Sequence, residues 1–148
     1  MIPYDVIIPS ASRPHLLRRT LRSLLVQMDQ RPARLIVHND ERFPGKAEET
    51  ELLVRSLGAS VGLRDERVVF GNSTMPIGHG PALAWLLARV EMPYVLYSQD
   101  DHEVVRSLPV QQALRVLDAY GLNQIRFNKR ATMEWKGDYH KLEVRFGE

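Results

Sequence analysis

Short apolar runs and helically spaced apolar residues follow one another along this chain. Each apolar run is four or five residues long and is bounded by polar or turn residues, which predicts a buried strand. The predicted strands cover residues 5–9, 35–39, 67–70 and 94–97. After each strand, apolar residues recur three or four positions apart, as Leu17, Leu21 and Leu24 do, which predicts a helix with one buried face.

The ends of the predicted helices are marked by capping and breaking residues. Ser12 and Ser107 are the expected N-caps of the first and fourth helices, and Pro14 suits a first turn. The second helix should cover residues 47–57 and end at Gly58, and the fourth should end at Gly121. The third helix is predicted over residues 81–90.

Four alternations of strand and helix predict an α/β fold with a mostly parallel sheet and helices on both of its faces. The 148 residues suit a single domain over residues 1–148. Residues 124–128 and 141–146 alternate apolar and polar positions, which predicts two further, half-exposed strands. Ligands of such sheets bind at the carboxyl ends of the strands, so residues 10–13, 39–42, 71–80 and 99–102 are expected to form one site.

Composition narrows this picture only slightly. Hydrophobic residues make up 44% of the chain and charged residues 26%, which is typical of a folded globular protein. The absence of cysteine excludes disulfides and thiolate metal sites, and the net charge of +2 gives little support to a nucleic-acid partner. No apolar run is long enough for a transmembrane segment and no signal-peptide pattern is present, so a cytoplasmic location is expected.

Two adjacent carboxylates, Asp100 and Asp101, directly follow the fourth predicted strand. Such a pair can hold Mg²⁺ or Mn²⁺ and bridge it to a diphosphate. Neighbouring strand residues face opposite sides, so one acid would bind the metal while the other holds a ribose, a water or a sugar. His102 is a further candidate ligand or diphosphate contact. The alternative is a solvated acidic turn that caps the next helix.

Polar residues after the first two strands are candidates for nucleotide binding. Pro9 and Ser10 could line a nucleotide pocket, and the guanidinium of Arg13 could contact phosphate. Asp40 could accept a hydrogen bond from a base N–H or a ribose hydroxyl, although an Asn-Asp pair is also common in turns.

A glycine-containing loop precedes the third predicted helix. Gly78, His79 and Gly80 would let the backbone approach a phosphate at a helix N-terminus. The segment matches neither the P-loop nor the dinucleotide-binding fingerprint.

Four segments together resemble the family 2 inverting glycosyltransferases: DVIIPSASRPHLLRRTLRSLLVQ, LIVHNDE, NSTMPIGHGPALAWLLA and YVLYSQDDHEV. The resemblance covers about residues 4–120, with the segments in the family's order. It implies a GT-A fold, a nucleoside-diphosphate sugar donor and Mn²⁺ or Mg²⁺. It also implies that Asp40 binds the base and that the SQDD segment corresponds to the DxD-type metal motif, with Asp101 favoured over Asp100 as the main ligand.

The chain departs from the family pattern in two further respects. Leu83 stands near the place where the family usually carries an arginine. The family's general base is an acidic residue far downstream, so the acceptor half is expected to be truncated or minimal here. The only late acidic candidates are Glu134, Asp138 and Glu143, and no motif supports any of them.

These features favour a metal-dependent glycosyltransferase that moves a sugar from a nucleoside-diphosphate sugar to an acceptor hydroxyl. The acceptor is left open among glycans, lipid carriers, proteins and nucleic acids. The alternative is a non-catalytic nucleotide-sugar or glycan-binding module that keeps the fold but lacks the general base. A nucleotidyltransferase ranks third, because the loop SASRPH contains no glycine.

Overall fold

The computed structural model describes residues 1–127, which form a four-stranded parallel sheet and four α-helices. The strands are β1 (Asp5–Ser10), β2 (Arg34–Asp40), β3 (Val68–Ser73) and β4 (Val95–Tyr97). The helices are α1 (Pro14–Gln27), α2 (Ala47–Ser60), α3 (His79–Leu87) and α4 (Val110–Tyr120). A short 3-10 turn, Asp65–Arg67, precedes β3.

The sheet order is β3-β2-β1-β4, and all three strand pairs are parallel. Every residue of β1 and β2 is buried, because each of these strands has a neighbour on both edges and helices above and below. The predicted α/β fold with a parallel sheet is therefore confirmed.

Side chains of the central strands alternate between two cores. Val6 and Ile8 point into the larger core, which α1, α2 and α4 cover. Ile7 and Ile36 point to the other face, where they pack against Leu86 of α3. Helices thus cover both faces of the sheet, as predicted.

Helix α1 has Arg13 at its N-cap position and not the predicted Ser12. Ser12 has a φ of 55°, a left-handed conformation, and no side chain caps the helix. Its backbone N–H donates to Asn39 Oδ1 (2.9 Å) and its hydroxyl to the Asp40 carbonyl (3.4 Å), so the residue is committed to the end of β2. The prediction that Ser12 caps α1 is wrong, whereas Pro14 does occupy the first turn.

Several other predicted boundaries shift by a few residues. Ser107 does not cap α4, since Pro109 stands at the N-cap position without a side-chain bond. Gly58 lies inside α2, where a Cβ atom would come within 2.7 Å of the Val68 side chain, so this glycine serves helix-strand packing. Gly121 ends α4 with a φ of 60°, as predicted.

The predictions of the third helix and of a strand at residues 124–128 also need correction. Helix α3 begins at His79, two residues before the predicted start, and ends at Leu87. Residues 124–127 are not part of a strand. An alternating pattern shows which side chains suit a half-buried surface but supplies no partner strand. Residue 128 and the predicted strand at 141–146 lie outside the described residues.

None of the helices within residues 1–127 is long and apolar enough to cross a membrane.

Candidate functional site

The strand order creates a crevice at the carboxyl end of the sheet. The chain passes outward from β1 through β2 to β3, and β4 then returns to the opposite side of β1. Such a reversal opens a crevice between the loops that follow the two diverging strands. A cavity of about 400 Å³ lies here. Its lining comprises Pro9, Ser10, Ala11, Arg13, Asp40, Arg42, Phe43, Gly78, His79, Ala82, Gln99 and Asp100.

The structure therefore brings together residues from all four loops that the sequence pointed to. Besides Asp100, the predicted site residues in the lining are Pro9, Ser10, Arg13, Asp40, Gly78 and His79. Gly80 lies one residue further along, in the first turn of α3. Asp101 and His102 directly follow Asp100 in the chain.

Asp100 is a buried carboxylate bound to the loop after β1. Its side chain is 2% exposed and forms a bidentate ion pair with Arg13, through Nε at 3.3 Å and Nη2 at 2.5 Å. Oδ2 also accepts hydrogen bonds from the Ser10 hydroxyl and the Ala11 N–H, both at 3.1 Å. Four donors thus hold this carboxylate, which leaves it little capacity to ligate a metal directly.

Asp101 differs from its neighbour in exposure. Its side chain is 46% exposed, and its Oδ1 lies 3.7 Å from His102 Nε2. The two acids therefore have different surroundings. They lie in the turn after β4 and not on the strand itself, so strand alternation does not account for the difference. Asp101 is the more exposed of the two carboxylates, whereas Asp100 is the one that lines the cavity.

The ring of His102 is oriented by the backbone beside it. Its Nδ1 accepts a hydrogen bond from the Gln99 N–H at 3.3 Å. A neutral imidazole that accepts at Nδ1 carries its proton at Nε2, so Nε2 is a donor and not a metal ligand in this tautomer. The arrangement suits an N–H donor toward an anion better than a metal ligand.

Asp40 ties the glycine loop to the end of β2. Its two carboxylate oxygens accept hydrogen bonds from the backbone N–H groups of Ile77 (2.7 Å) and Gly78 (3.0 Å). The side chain is 5% exposed. Asp40 thus fixes the residue that immediately precedes α3, where Gly78 adopts a φ of 83° that glycine accommodates without strain.

A histidine next to the site is buried on the α3 face of the sheet. His38 is 1% exposed, its Nε2 lies 3.0 Å from the Ser73 hydroxyl, and its ring packs 4.9 Å from that of Trp85. Burial lowers the pKa of His38, with the positive charge of Arg89 acting in the same direction and Asp40 opposing it. Trp85 packs against the smaller core together with Leu83.

The sequence did not single out the five other residues of the lining by their own properties: Ala11, Arg42, Phe43, Ala82 and Gln99. Phe43 is the most distinctive, because it is an aromatic residue that is 61% exposed. A signal for it exists in the sequence, where one aromatic residue interrupts the otherwise polar segment NDERFPGK. The late acidic candidates Glu134, Asp138 and Glu143 lie outside the described residues.

Two kinds of metal site can be compared with the described part of the chain, one built wholly from protein ligands and one shared with water and substrate. Within residues 1–127, no group of three or more histidine or acidic side chains is arranged to hold an ion. A closed site made wholly of protein ligands is therefore not formed by this part of the chain. A site of the second kind, in which one carboxylate, water and substrate phosphates share the metal, needs only a carboxylate such as that of Asp101 from this part of the chain.

Comparison with solved structures identifies proteins of the same fold. S. aureus TarS residues 1–349, solved in complex with UDP-GlcNAc, aligns over 81% of this chain and 32% of its own, with a TM-score of 0.61 and 17% identity. The mannosyltransferase PcManGT from Pyrobaculum calidifontis, solved with GDP-Man and Mn²⁺, aligns over 79% of this chain and 33% of its own, with a TM-score of 0.61 and 18% identity.

These neighbours have the fold that the sequence resemblance implied, so the GT-A-like architecture is confirmed over the aligned part. The chain spans about one third of the length of these two structures. No protein-family model matches the sequence, and neither does any curated protein.

Proposed function

We propose that this chain binds a nucleoside-diphosphate sugar in the cavity at the carboxyl end of its sheet and acts in glycosyl transfer. One observation carries the proposal. Arg13 is fixed by the buried carboxylate of Asp100 at the crevice between β1 and β4, on a fold shared with proteins solved with UDP-GlcNAc and GDP-Man. An oriented guanidinium beside a crevice suits the diphosphate of a nucleotide sugar.

Arg13 is the candidate contact for the diphosphate. Two of its nitrogens pair with Asp100, and its side chain remains 39% exposed, so the guanidinium keeps N–H groups available to a ligand. Asp100 acts here as a positioning residue, because it orients Arg13 and need not touch the donor. The exposed guanidinium would offset negative charge on the departing diphosphate.

Asp40 is the candidate contact for the nucleoside. Each carboxylate oxygen has two lone-pair sites and accepts one backbone N–H, so each retains capacity for a base or ribose donor. His79 and Gly80 follow as the first two residues of α3, where first-turn N–H groups favour an anion.

Asp101 is the proposed metal residue, with His102 as a neighbouring N–H donor toward the diphosphate. Bound Mn²⁺ or Mg²⁺ would supply Lewis-acid stabilisation of the leaving diphosphate. Asp101 suits this role because its carboxylate is exposed beside Asp100, which is already engaged by Arg13. Transfer to an acceptor hydroxyl further requires a general base, for which Glu134, Asp138 and Glu143 remain candidates.

Thermal stability measures donor binding directly. UDP-GlcNAc or GDP-Man with Mn²⁺, at about 100 times its Kd, should raise the Tm by roughly 5–10 °C. Asp101→Asn should remove the part of this rise that depends on Mn²⁺, since it deletes the metal carboxylate. Glu103→Gln is the matched control, because Glu103 is an exposed carboxylate two residues away that pairs with Arg19.

Two outcomes would contradict the proposal. If neither donor shifts the Tm, the cavity is not a nucleotide-sugar site. If Asp101→Asn retains the full Mn²⁺-dependent shift, the metal does not bind at Asp101. Release of free nucleoside diphosphate from a bound donor separates a transferase from a non-catalytic binding module, which would bind the donor without consuming it.

A further inference from the structure

An exposed aromatic ring stands at the mouth of the cavity, on the loop between β2 and α2. Phe43 lines the cavity three residues after Asp40, and 61% of it is exposed. Burial in a core does not account for this ring, since Phe43 belongs to neither hydrophobic core. It also lines the adjoining depression at the start of α1, so it forms a wall between two concave surfaces.

Glu41 connects the loop that carries Phe43 both to itself and to β3. The Glu41 carboxylate accepts hydrogen bonds from the Gly45 N–H (2.8 Å) and from the Asn72 side-chain amide (3.2 Å). Its own N–H donates to the Ser73 carbonyl at 3.0 Å. Phe43 therefore projects from a loop that hydrogen bonds connect to β3 and close on itself. An ordered loop loses less conformational entropy when a ligand binds, so an exposed ring on such a loop is expected at a binding site.

Asp40 and His79, which also line the cavity, each have a partner within the protein. The Asp40 carboxylate accepts hydrogen bonds from the backbone N–H groups of Ile77 and Gly78. A further hydrogen bond from the edge of a base to this carboxylate would contribute only part of the binding energy of the base. His79, the other ring in the lining, lies 3.3 Å from the Tyr97 hydroxyl through Nε2. Phe43 is the exposed aromatic residue of the described lining, and it shares that lining with Asp40.

We propose that Phe43 is the stacking residue for the nucleobase of the donor, with Asp40 contacting the base or the ribose at its edge. This inference rests on the proposed function, because it assigns the nucleoside end of the same cavity. Stacking is tolerant of base identity, since every base has a π-face. The ring would therefore strengthen binding of uridine and guanosine nucleotides alike.

Isothermal titration calorimetry with UDP, GDP and inorganic pyrophosphate, each with Mn²⁺, tests the assignment. Phe43→Ala should weaken binding of UDP and GDP about tenfold or more, the range typical of a lost base-aromatic stack. Affinity for pyrophosphate should not change, because it has no base. Phe43→Trp should restore nucleotide affinity, whereas Phe43→Leu, which keeps bulk without a ring, should not.

Leu52→Ala is the matched control, because Leu52 is 70% exposed on α2 and does not line the cavity. Equal UDP affinity in the wild type and Phe43→Ala would overturn the stacking role and leave the proposed function standing. Failure of the wild type to bind any nucleoside diphosphate would overturn the proposed function itself. A parallel loss of pyrophosphate affinity in Phe43→Ala would show a general effect on the cavity and would also overturn the stacking role.

Discussion

At the scale of single residues, adjacent side chains of the same type acquire different properties. Asp100 is buried by Arg13 and the loop after β1, whereas Asp101 is nearly half exposed. Strand alternation predicts opposite orientations for such a pair. Both acids lie in the turn after β4, however, so only the fold decides which one meets a cation. The fold thus pairs Asp100 with Arg13 and leaves Asp101 more exposed to solvent.

A buried neutral histidine makes stability depend on pH. The pKa of His38 is lowered in the folded chain from its ordinary value of 6.5, first of all by burial. Below pH 6.5 the unfolded chain therefore binds a proton that the folded chain does not, so stability falls as pH falls. We expect the Tm to drop between about pH 7.5 and about pH 5.5.

Differential scanning calorimetry of His38→Gln checks the source of this pH dependence. Glutamine can still bond to the Ser73 hydroxyl but does not titrate, so the Tm should change less steeply with pH than in the wild type. His15, an exposed histidine on α1, provides the control His15→Gln. Identical slopes for His38→Gln and the wild type would show that another group governs the pH dependence.

At the scale of elements, helices and strands meet at positions that only a small residue permits. Helix α3 places the Trp85 indole against β3, and the Arg89 guanidinium lies 3.5 Å from the centre of the Trp85 ring. A Cβ on Gly71 of β3 would lie 2.2 Å from Trp85 Cζ2. The absence of a side chain at Gly71 thus sets how closely α3 approaches the sheet.

Gly71→Ala should therefore be destabilising by about 1–3 kcal/mol, because the indole must move from a packed site. Urea unfolding followed by circular dichroism measures the change. Gly80→Ala is the control, since Gly80 is in the first turn of α3, where a Cβ atom would meet open space, and this variant should be neutral or slightly stabilising. Equal stability of the two variants would contradict the packing argument.

At the scale of the whole molecule, strand order determines which positions matter most. Strand β1 is central, and β4 lies at an edge of the four-stranded sheet, where Val95 is 41% exposed and Tyr97 39% exposed. The same order places the loops after β1, β2 and β4 around one crevice. Stability and the candidate site thus both depend on the position of β1.

The same substitution should have different effects at the centre and at the edge. Val6→Ala in β1 removes two methyl groups from a fully buried site and should cost about 2 kcal/mol. Val95→Ala in β4 should cost less than about 1 kcal/mol, because that side chain is already partly in water. Urea midpoints with unchanged m-values would measure this difference, and equal losses would contradict the observed strand order.

The sequence by itself determined the α/β class, the four strands and four helices, and the loops that meet at the cavity. Hydrophobic periodicity and turn residues are local properties, and a parallel sheet with its ligands at the carboxyl ends follows from them. The sequence misplaced Ser12 and Ser107 as caps, because a hydroxyl can bond to a distant strand as readily as to its own helix, as that of Ser12 does.

Only the tertiary structure decided the partners of the charged and aromatic side chains. Arg13 and Asp100 are 87 residues apart in the chain, and Asp40 meets Ile77 and Gly78 across 37 and 38 residues. No local pattern encodes such pairs, because they depend on which strands become neighbours. The sequence pointed to Asp100 and Asp101 as a site, and the fold distinguished the acid that orients an arginine from the acid left open to a ligand.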